Sequence, residues 1–406
     1  MSLEPTARPL PGLRTFLRDL TPIHAGNALI GVVFASSAPL AIVLTAARDR
    51  LSTDDIAAWF FAAYFINGLV TIAFSLAYRQ PLVFFWTIPG TVLLGPALAT
   101  LRHSEVIGAF LLTGLLMLAL GLTGLVRRVM SLVPMPIVMG MVAGVFLQFG
   151  LDWIRAIERD FAIAAAMTAI FLVASAMPSV AARCPPLILA LVTGVAVAVL
   201  QGRLGASIGD GALVADPKIF VPELSWQAAL ELVVPLAITV LVVQNGQGNA
   251  ILTAAGHDPP VNAIAAGCGV GAFVSGLLGS ASTCLTGPVN ALITSTGDTR
   301  GHYTAAVLVG LIALLFGVFA PLLARFMLAA PPAFIATLAG LGLLRVLQGA
   351  FTIAFKDRFP LGALVTFLVT VSGISILNVG APFWGLVLGV ATSWVLERAQ
   401  FERRNT

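Results

Sequence analysis

Two short stretches of this 406-residue chain place helix-breaking residues and hydroxyls inside otherwise apolar sequence. They are Thr87-Ile-Pro-Gly90 and Thr286-Gly-Pro288, with Asn290 just beyond the second. A helix that begins inside an apolar layer points unsatisfied N–H groups and the positive end of its dipole at whatever faces it. Two such ends facing each other suit an anionic group, and together they are expected to hold it. Pro89 or Pro288 at a first helical position gives up no needed hydrogen bond, and Gly90 or Gly287 lets a ligand approach the backbone closely. The hydroxyls of Thr87, Thr91, Thr283 and Thr286 add donors. Asn290 reads equally as an interhelical hydrogen bond or as a substrate contact.

A third stretch carries amides at Gln244, Asn245, Gln247 and Asn249, at the end of a hydrophobic run. An amide in lipid is costly unless partnered, so these either lie at the membrane interface or serve a ligand. Gln244 is the deepest and, with Asn245, is the candidate. Ser36 and Ser37 are adjacent hydroxyls in the first apolar run. The plain reading is a bond to their own helix backbone, and Ser37 is the alternative ligand. Phe84, Phe85 and Trp86 precede the first break. They could stack on an aromatic ring, or they belong to packing or to an interfacial belt.

Ionisable side chains within apolar runs are functional candidates by default. Here they are His24 at the mouth of the first run, Glu231, Arg345 and Asp152, all of which could also be snorkelling or interface residues. His24 and Glu231 are the candidate proton carriers. No HExxH, CxxC, GxSxG or phosphate-loop motif occurs, so no metal, cofactor or enzyme chemistry is expected. Cys184, Cys268 and Cys284 form neither a disulfide framework nor a zinc spacing and read as small apolar residues.

The elements that must hold these groups are membrane helices. The chain is 59% hydrophobic and 10% charged, whereas a soluble domain is about a quarter charged. Apolar runs near the roughly 20 residues a helix needs to cross a bilayer recur along the chain. They fall at about 25–46, 55–77, 81–100, 106–126, 130–151, 161–177 and 186–200, and again at 228–250, 261–278, 280–296, 304–328, 332–348, 360–377 and 382–396. That gives about fourteen segments, seven on each side of a more polar midpoint at 201–226. The first run leads straight into further spans, so it reads as a span rather than a removed signal. The third and tenth segments hold the two breaks, and in lipid a broken helix is tolerated only where it is buried in protein or lines a cavity. The net charge of +4 comes from basic residues scattered through loops, with no nucleic-acid motif. Their modest excess on one side puts both termini in the cytoplasm.

The two halves match at a fixed offset of 196 residues. Pro39-Leu-Ala-Ile42 falls on Pro235-Leu-Ala-Ile238, Gly114-Leu115 and Gly121 on Gly310-Leu311 and Gly317, and Pro136 with Ala143-Gly144 on Pro332 with Ala339-Gly340. Phe171-Leu-Val173 falls on Phe367-Leu-Val369, and Pro186 on Pro382. A half with an odd number of spans ends on the opposite face, so the second copy is inverted, as in many alternating-access transporters. The expected fold is therefore an all-α polytopic membrane protein of two inverted seven-segment repeats with broken helices at segments 3 and 10.

Phe85-Trp-Thr-Ile-Pro-Gly90, Gln244-Asn-Gly-Gln-Gly-Asn-Ala-Ile251 and Ala254-Ala-Gly256, with the prolines of the fifth and twelfth segments, carry a resemblance. Over nearly its whole length the chain resembles the benzoate:proton symporter family, a branch of the seven-plus-seven inverted-repeat fold of the uracil permease. The resemblance implies a cytoplasmic segment 1–23, a core domain from 24–126 and 227–328, a gate domain from 127–200 and 329–398, the linker 201–226 and a cytoplasmic tail 399–406. It implies a substrate between the third and tenth half-helices, near the eighth span. Nucleobase permeases of this fold carry carboxylates on the eighth and tenth spans, where this chain has Gln244 and Thr286, which argues against a nucleobase. The 280–291 stretch departs from the benzoate-family pattern. The expectation is proton-coupled uptake of benzoate or a similar aromatic carboxylate in a bacterial-type inner membrane. Another small organic anion or nucleobase-like ring is the alternative, a channel or intramembrane enzyme a distant one, and a homodimer is left open.

Overall fold

The computed structural model describes residues 3–7, 10–130, 134–181, 184–203, 211–295, 298–374, 376 and 381–402. Its helices are α1 (Pro22–Ala35), α2 (Ala38–Ala47), α3 (Thr53–Tyr78), α4 (Ile88–Thr100), α5 (His103–Thr123), α6 (Met135–Arg159), α7 (Phe161–Ala176) and α8 (Pro186–Leu200). They continue as α9 (Trp226–Ala254), α10 (Val261–Leu277), α11 (Gly287–Ile293), α12 (His302–Val318), α13 (Ala320–Ala329), α14 (Pro332–Phe355), α15 (Pro360–Ser372) and α16 (Ala381–Leu396), besides shorter turns. Among the described residues, seven helices are long and apolar enough to cross a membrane, counting 22–47 as one, and a further seven apolar helices are 10–17 residues long. Leu115, Leu200, Leu311, Leu315 and Leu368 are exposed, as expected for side chains facing lipid rather than water.

Two close crossings hold one part of the bundle. α5 runs along α10, and α3 along α12. A side chain at Gly114 would meet the Gly269 carbonyl at 2.9 Å, and one at Gly269 the Gly114 carbonyl at 2.8 Å. Gly310 and Gly68 stand in the same mutual relation at 2.8 Å. Small residues let helix backbones touch where lipid supplies no hydrophobic drive. Further along, Gly121 lies against Ala266 and Gly317 against Phe65, so the two crossings are built alike. In the rest of the bundle α6 packs on α14 and α15, α15 on α16, and α7 on α8. The described part of the midpoint linker lies across one end. Its Phe220 and Ala215 amides donate to the Leu277 and Val318 carbonyls at 2.8 Å, and Glu223 N donates to Ser104 O at 2.9 Å. Glu223 pairs with Arg102 at 2.5 Å and Lys218 with Asp54 at 3.5 Å. The starts of α3 and α5 therefore share an end with the finishes of α10 and α12.

The structure departs from an all-helical reading at four places. Phe84–Trp86 and Thr283–Leu285 are strands β1 and β2, paired antiparallel with Phe84 opposite Leu285, Phe85 opposite Cys284 and Trp86 opposite Thr283. The first run breaks at Ser36–Ser37. Pro39 has no N–H to give the Ala35 carbonyl, and the Tyr64 hydroxyl donates to that carbonyl instead, at 3.3 Å. The 304–328 run is two helices, meeting at Phe319 with Pro321 near the start of the second. α9 widens twice into π turns, at Ala229–Val233 and Thr239–Gln244, a distortion often found at functional sites.

The glycine crossings make a direct prediction. Gly114→Val and Gly310→Val should each destabilise the purified protein by about 1–3 kcal/mol, the cost of overpacking, read as a lower unfolding temperature in detergent. Gly349→Ala, where a side chain meets nothing within 4 Å among the described residues, should not lower that temperature, and alanine's better helix propensity should raise it slightly.

Candidate functional site

The centre of the molecule is the ribbon of β1 and β2, from which α4 and α11 start. A non-helical backbone inside an apolar slab must have every polar group satisfied by protein, and this ribbon is closed by side chains. The Thr71 hydroxyl takes Phe84 N at 2.9 Å and gives to Phe84 O at 3.2 Å. Ser75 does the same for Leu82, at 3.3 and 3.1 Å. Asn290 Oδ1 accepts from Val83 N at 3.1 Å, while its Nδ2 donates to Val83 O at 3.3 Å and Thr286 O at 2.7 Å. Asn245 Oδ1 accepts from Leu285 N at 2.8 Å. Backbone bonds from Thr87 N to Ser282 O at 2.9 Å and from Thr286 N to Val83 O at 3.0 Å extend the pairing at both ends.

This accounting sorts the candidate residues. Asn290 and Asn245 fasten the ribbon to α11 and α9. The Ser37 hydroxyl donates to Phe34 O at 2.7 Å and Ser36 to Val32 O at 2.8 Å, both within the first span. Thr87 accepts from Gly90 N at 3.2 Å and so caps α4. The Thr286 side chain makes no such cap on α11. The buried Trp86 Nε1, Ser282 Oγ and Thr283 Oγ1 have no hydrogen-bond partner among the described residues. Phe85 and Trp86 are buried against Tyr64, with ring centroids at 5.8 and 5.2 Å. Gln244 is buried within the second π turn.

Pro89, Gly90 and Gly287 sit where the helices begin. A side chain at Gly90 would meet Leu236 of α9 at 2.7 Å, and one at Gly287 would meet the Gln247 side chain at 2.6 Å. Gln247 is therefore the amide that covers the start of α11, a role its place in the 244–249 amide run did not single out. Thr87 lies opposite Ser282 and Thr286 opposite Val83, so the two helix starts are separated by four residues of ribbon. At about 3.3 Å per residue that is roughly 13 Å. One carboxylate can hydrogen-bond at one start and feel the other only through its dipole.

The candidate proton carriers lie away from the ribbon. His24 is fully buried, its Nδ1 at 3.0 Å from Thr21 Oγ1. Its ring stands 5.9 Å from that of His302, whose Nδ1 is 3.1 Å from His257 Nε2. His257, in the loop before α10, is pushed down to about 4 by burial and by the neighbouring His302. Glu231 is nine-tenths buried in the first π turn. It lines a cavity of about 550 Å³ between the outer half of α4, α6, α15 and α16. Arg345 is exposed and bonded to Gln348 at 3.1 Å, and Asp152 pairs with Arg155 at 3.0 Å.

A family model described as benzoate membrane transport protein (BenE) matches residues 18–395. The inner membrane protein YdcO of Escherichia coli (strain K12) is 31% identical over 383 residues, which cover 93% of this chain and 96% of that one. The benzoate membrane transport protein of Acinetobacter baylyi is 28% identical over 395 residues, covering 95% and 98%. Two solved structures share the fold. One is the transmembrane domain of the cyanobacterial bicarbonate transporter BicA, with TM-score 0.59, 16% identity, and 95% and 100% of the two chains covered. The other is the murine anion transporter Slc26a9 in the inward-facing state, with TM-score 0.66, 14% identity, and 96% and 71% covered. This is a mostly helical, polytopic membrane transporter fold.

Two outcomes are expected from the geometry. Asn290→Ala strands the buried Val83 N–H and should cost about 1–3 kcal/mol, read as a lower unfolding temperature. His257 binds a proton near 6.5 when unfolded but only near 4 when folded. Stability should therefore rise with pH between those values and be fully present above 6.5. His257→Gln should remove that rise from a series of thermal unfolding curves against pH.

Proposed function

The chain belongs to the benzoate membrane transport protein family; it is a membrane transport protein and not an enzyme, and from that premise we propose proton-coupled uptake of benzoate or a similar aromatic carboxylate by alternating access. The observation that carries this reading is the buried ribbon. It gathers unpartnered donors at Trp86, Ser282 and Thr283, two helix starts and aromatic side chains within one apolar protein. The name of the Acinetobacter relative supports benzoate as the substrate, and the absence of carboxylates at Gln244 and Thr286 fits an anionic substrate better than a nucleobase.

In this reading the fourteen segments form two inverted repeats, with α1–α5 and α9–α13 as a core and α6–α8 and α14–α16 as a gate. The paired crossings Gly114–Gly269 and Gly310–Gly68 support the repeat, because inversion exchanges one for the other. Both termini lie in the cytoplasm. The substrate ring lies against Phe85 and Trp86. Its carboxylate lies at the start of α11, where Thr286 leaves the first turn uncapped, with Gln244 beside it. A helix N-terminus contributes up to about 2 kcal/mol to a partly buried anion. Losing the carboxylate's hydration opposes that gain, so the N–H contacts must be well aimed.

In proteoliposomes, uptake of labelled benzoate should saturate, accelerate under an inward proton gradient and collapse with a protonophore. Linear uptake indifferent to the protonophore would indicate a channel. Gly287→Val should lose binding while the protein still folds, since a side chain there displaces only the flexible end of Gln247. Gln244→Ala should weaken binding by about 5- to 150-fold, as for a buried partner left unpaired by about 1–3 kcal/mol. If both variants bind benzoate as tightly as the parent, the substrate pocket lies elsewhere.

A further inference from the structure

The cavity beside Glu231 is distinct from the ribbon. It is lined by the far half of α4, from Val92 to Thr100, rather than by the start of that helix. Val92, Leu93, Val145 and Phe149 give it apolar walls, and Thr370 and Gln148 supply polar edges. Its volume of about 550 Å³ lies within the usual range for a small-molecule site. Glu231 is the one ionisable side chain among the described residues that line it. The carboxyl is 9% exposed, one oxygen within bonding reach of the Gln227 side chain and Oε2 without a partner.

Among the described residues no cation acts on Glu231; Arg48, Asp49, Arg159, Asp160 and Arg203 line a neighbouring cavity that shares Thr45 and Phe149 with this one. α4, α16 and the first turn of α9 carry no ionisable residue in contact with it. α5 brings His103, stacked on Phe220, and Glu105, which pairs with Arg102 at 3.5 Å. The nearby linker brings Glu223, also paired with Arg102. Across the cavity on α6, Asp152 accepts from Gln148 and pairs with Arg155. A lone ionised carboxylate this deeply buried is costly, and a fold that keeps one facing an open cavity must offset that cost when the cavity is filled.

We propose that this cavity is an entry site for an apolar monocarboxylic acid, in which Glu231 and the substrate carboxylate share one proton. The inference rests on the function proposed above and adds the point at which proton and substrate are tied together. Two carboxylates with no cation between them cannot both stay ionised. With one proton they form a charge-assisted O–H···O⁻ hydrogen bond, among the strongest available to a protein. The balance is simple: Glu231 carboxylate, one substrate anion and one proton from water combine, no covalent bond forms or breaks, and the pair carries a single negative charge. The apolar walls take the ring. With both termini cytoplasmic, the ends of α2, α4 and α6 that frame this cavity face outward, so proton and anion load together from outside before the substrate moves to the ribbon.

The test is calorimetric titration of the purified full-length protein with benzoate in buffers of differing ionisation enthalpy, at about pH 8.5, where both free carboxyls start ionised. The parent should take up close to one proton per benzoate bound. Glu231→Gln keeps a donor but cannot exchange a proton. It should bind within about tenfold of the parent, take up none, and show benzoate uptake no longer accelerated by a proton gradient. Leu93→Trp fills the cavity while keeping the acid in the chain and should slow initial uptake at least tenfold. Glu231→Gln that still takes up a proton, or Leu93→Trp with unchanged uptake, overturns the inference while leaving the transport reading intact. A parent that shows no saturable benzoate binding overturns both.

Discussion

Everything in this molecule depends on hiding about ten residues of non-helical backbone inside an apolar slab. A strand edge exposed to lipid would strand N–H and C=O groups that water cannot reach. The chain answers with a two-stranded ribbon whose outer groups are closed by Thr71, Ser75, Asn245 and Asn290. These side chains come from α3, α9 and α11, so the ribbon is tied to three elements at once. The same requirement explains Tyr64. Its hydroxyl serves the Ala35 carbonyl and Ser36 at the first break, while its ring packs on Phe85 and Trp86. A break in one span is thereby held by the residues that line the centre.

That closure separates groups that build the site from groups free to meet a ligand. Polar side chains fully engaged with backbone rigidify the frame, and a ligand can compete for them only at the cost of a buried unsatisfied group. The ribbon donors left over among the described residues, at Trp86, Ser282 and Thr283, occupy neighbouring positions at one end of the ribbon. The composite helix α9 runs past this region with its backbone widened twice. One π turn carries Gln244 beside the ribbon and the other carries Glu231 in the outer cavity. A single helix thus links the ribbon and the cavity beside Glu231.

The mostly helical, polytopic membrane fold was legible in the sequence, because hydropathy, proline and glycine report directly on a helix in lipid. The strands were not. Phe84–Trp86 and Thr283–Leu285 are three residues each, too short for alternation to show, and they are strands only because each pairs with the other. In the repeat proposed above, Gly114 pairs with Gly310 at 196 residues, whereas Pro89 pairs with Pro288 at 199 and Gly68 with Gly269 at 201, so one fixed offset would not show the whole correspondence. Asn290 stood between two roles in sequence, and its three hydrogen bonds give it the structural one. His24 looked like a mouth residue, whereas it is buried beside His302 because α12 folds back against α1, a contact between residues far apart in the chain.

The central claim is that the ribbon, with Gln244 and the start of α11 beside it, holds an aromatic carboxylate. The most direct measurement is a crystal structure with 4-iodobenzoate bound, in which the iodine is located by its anomalous signal. The account predicts a peak against Phe85 or Trp86, with the carboxylate within hydrogen-bonding distance of the backbone at Gly287 and of Gln244. Strong anomalous peaks elsewhere in the protein, with none at the ribbon at saturating ligand, would contradict it.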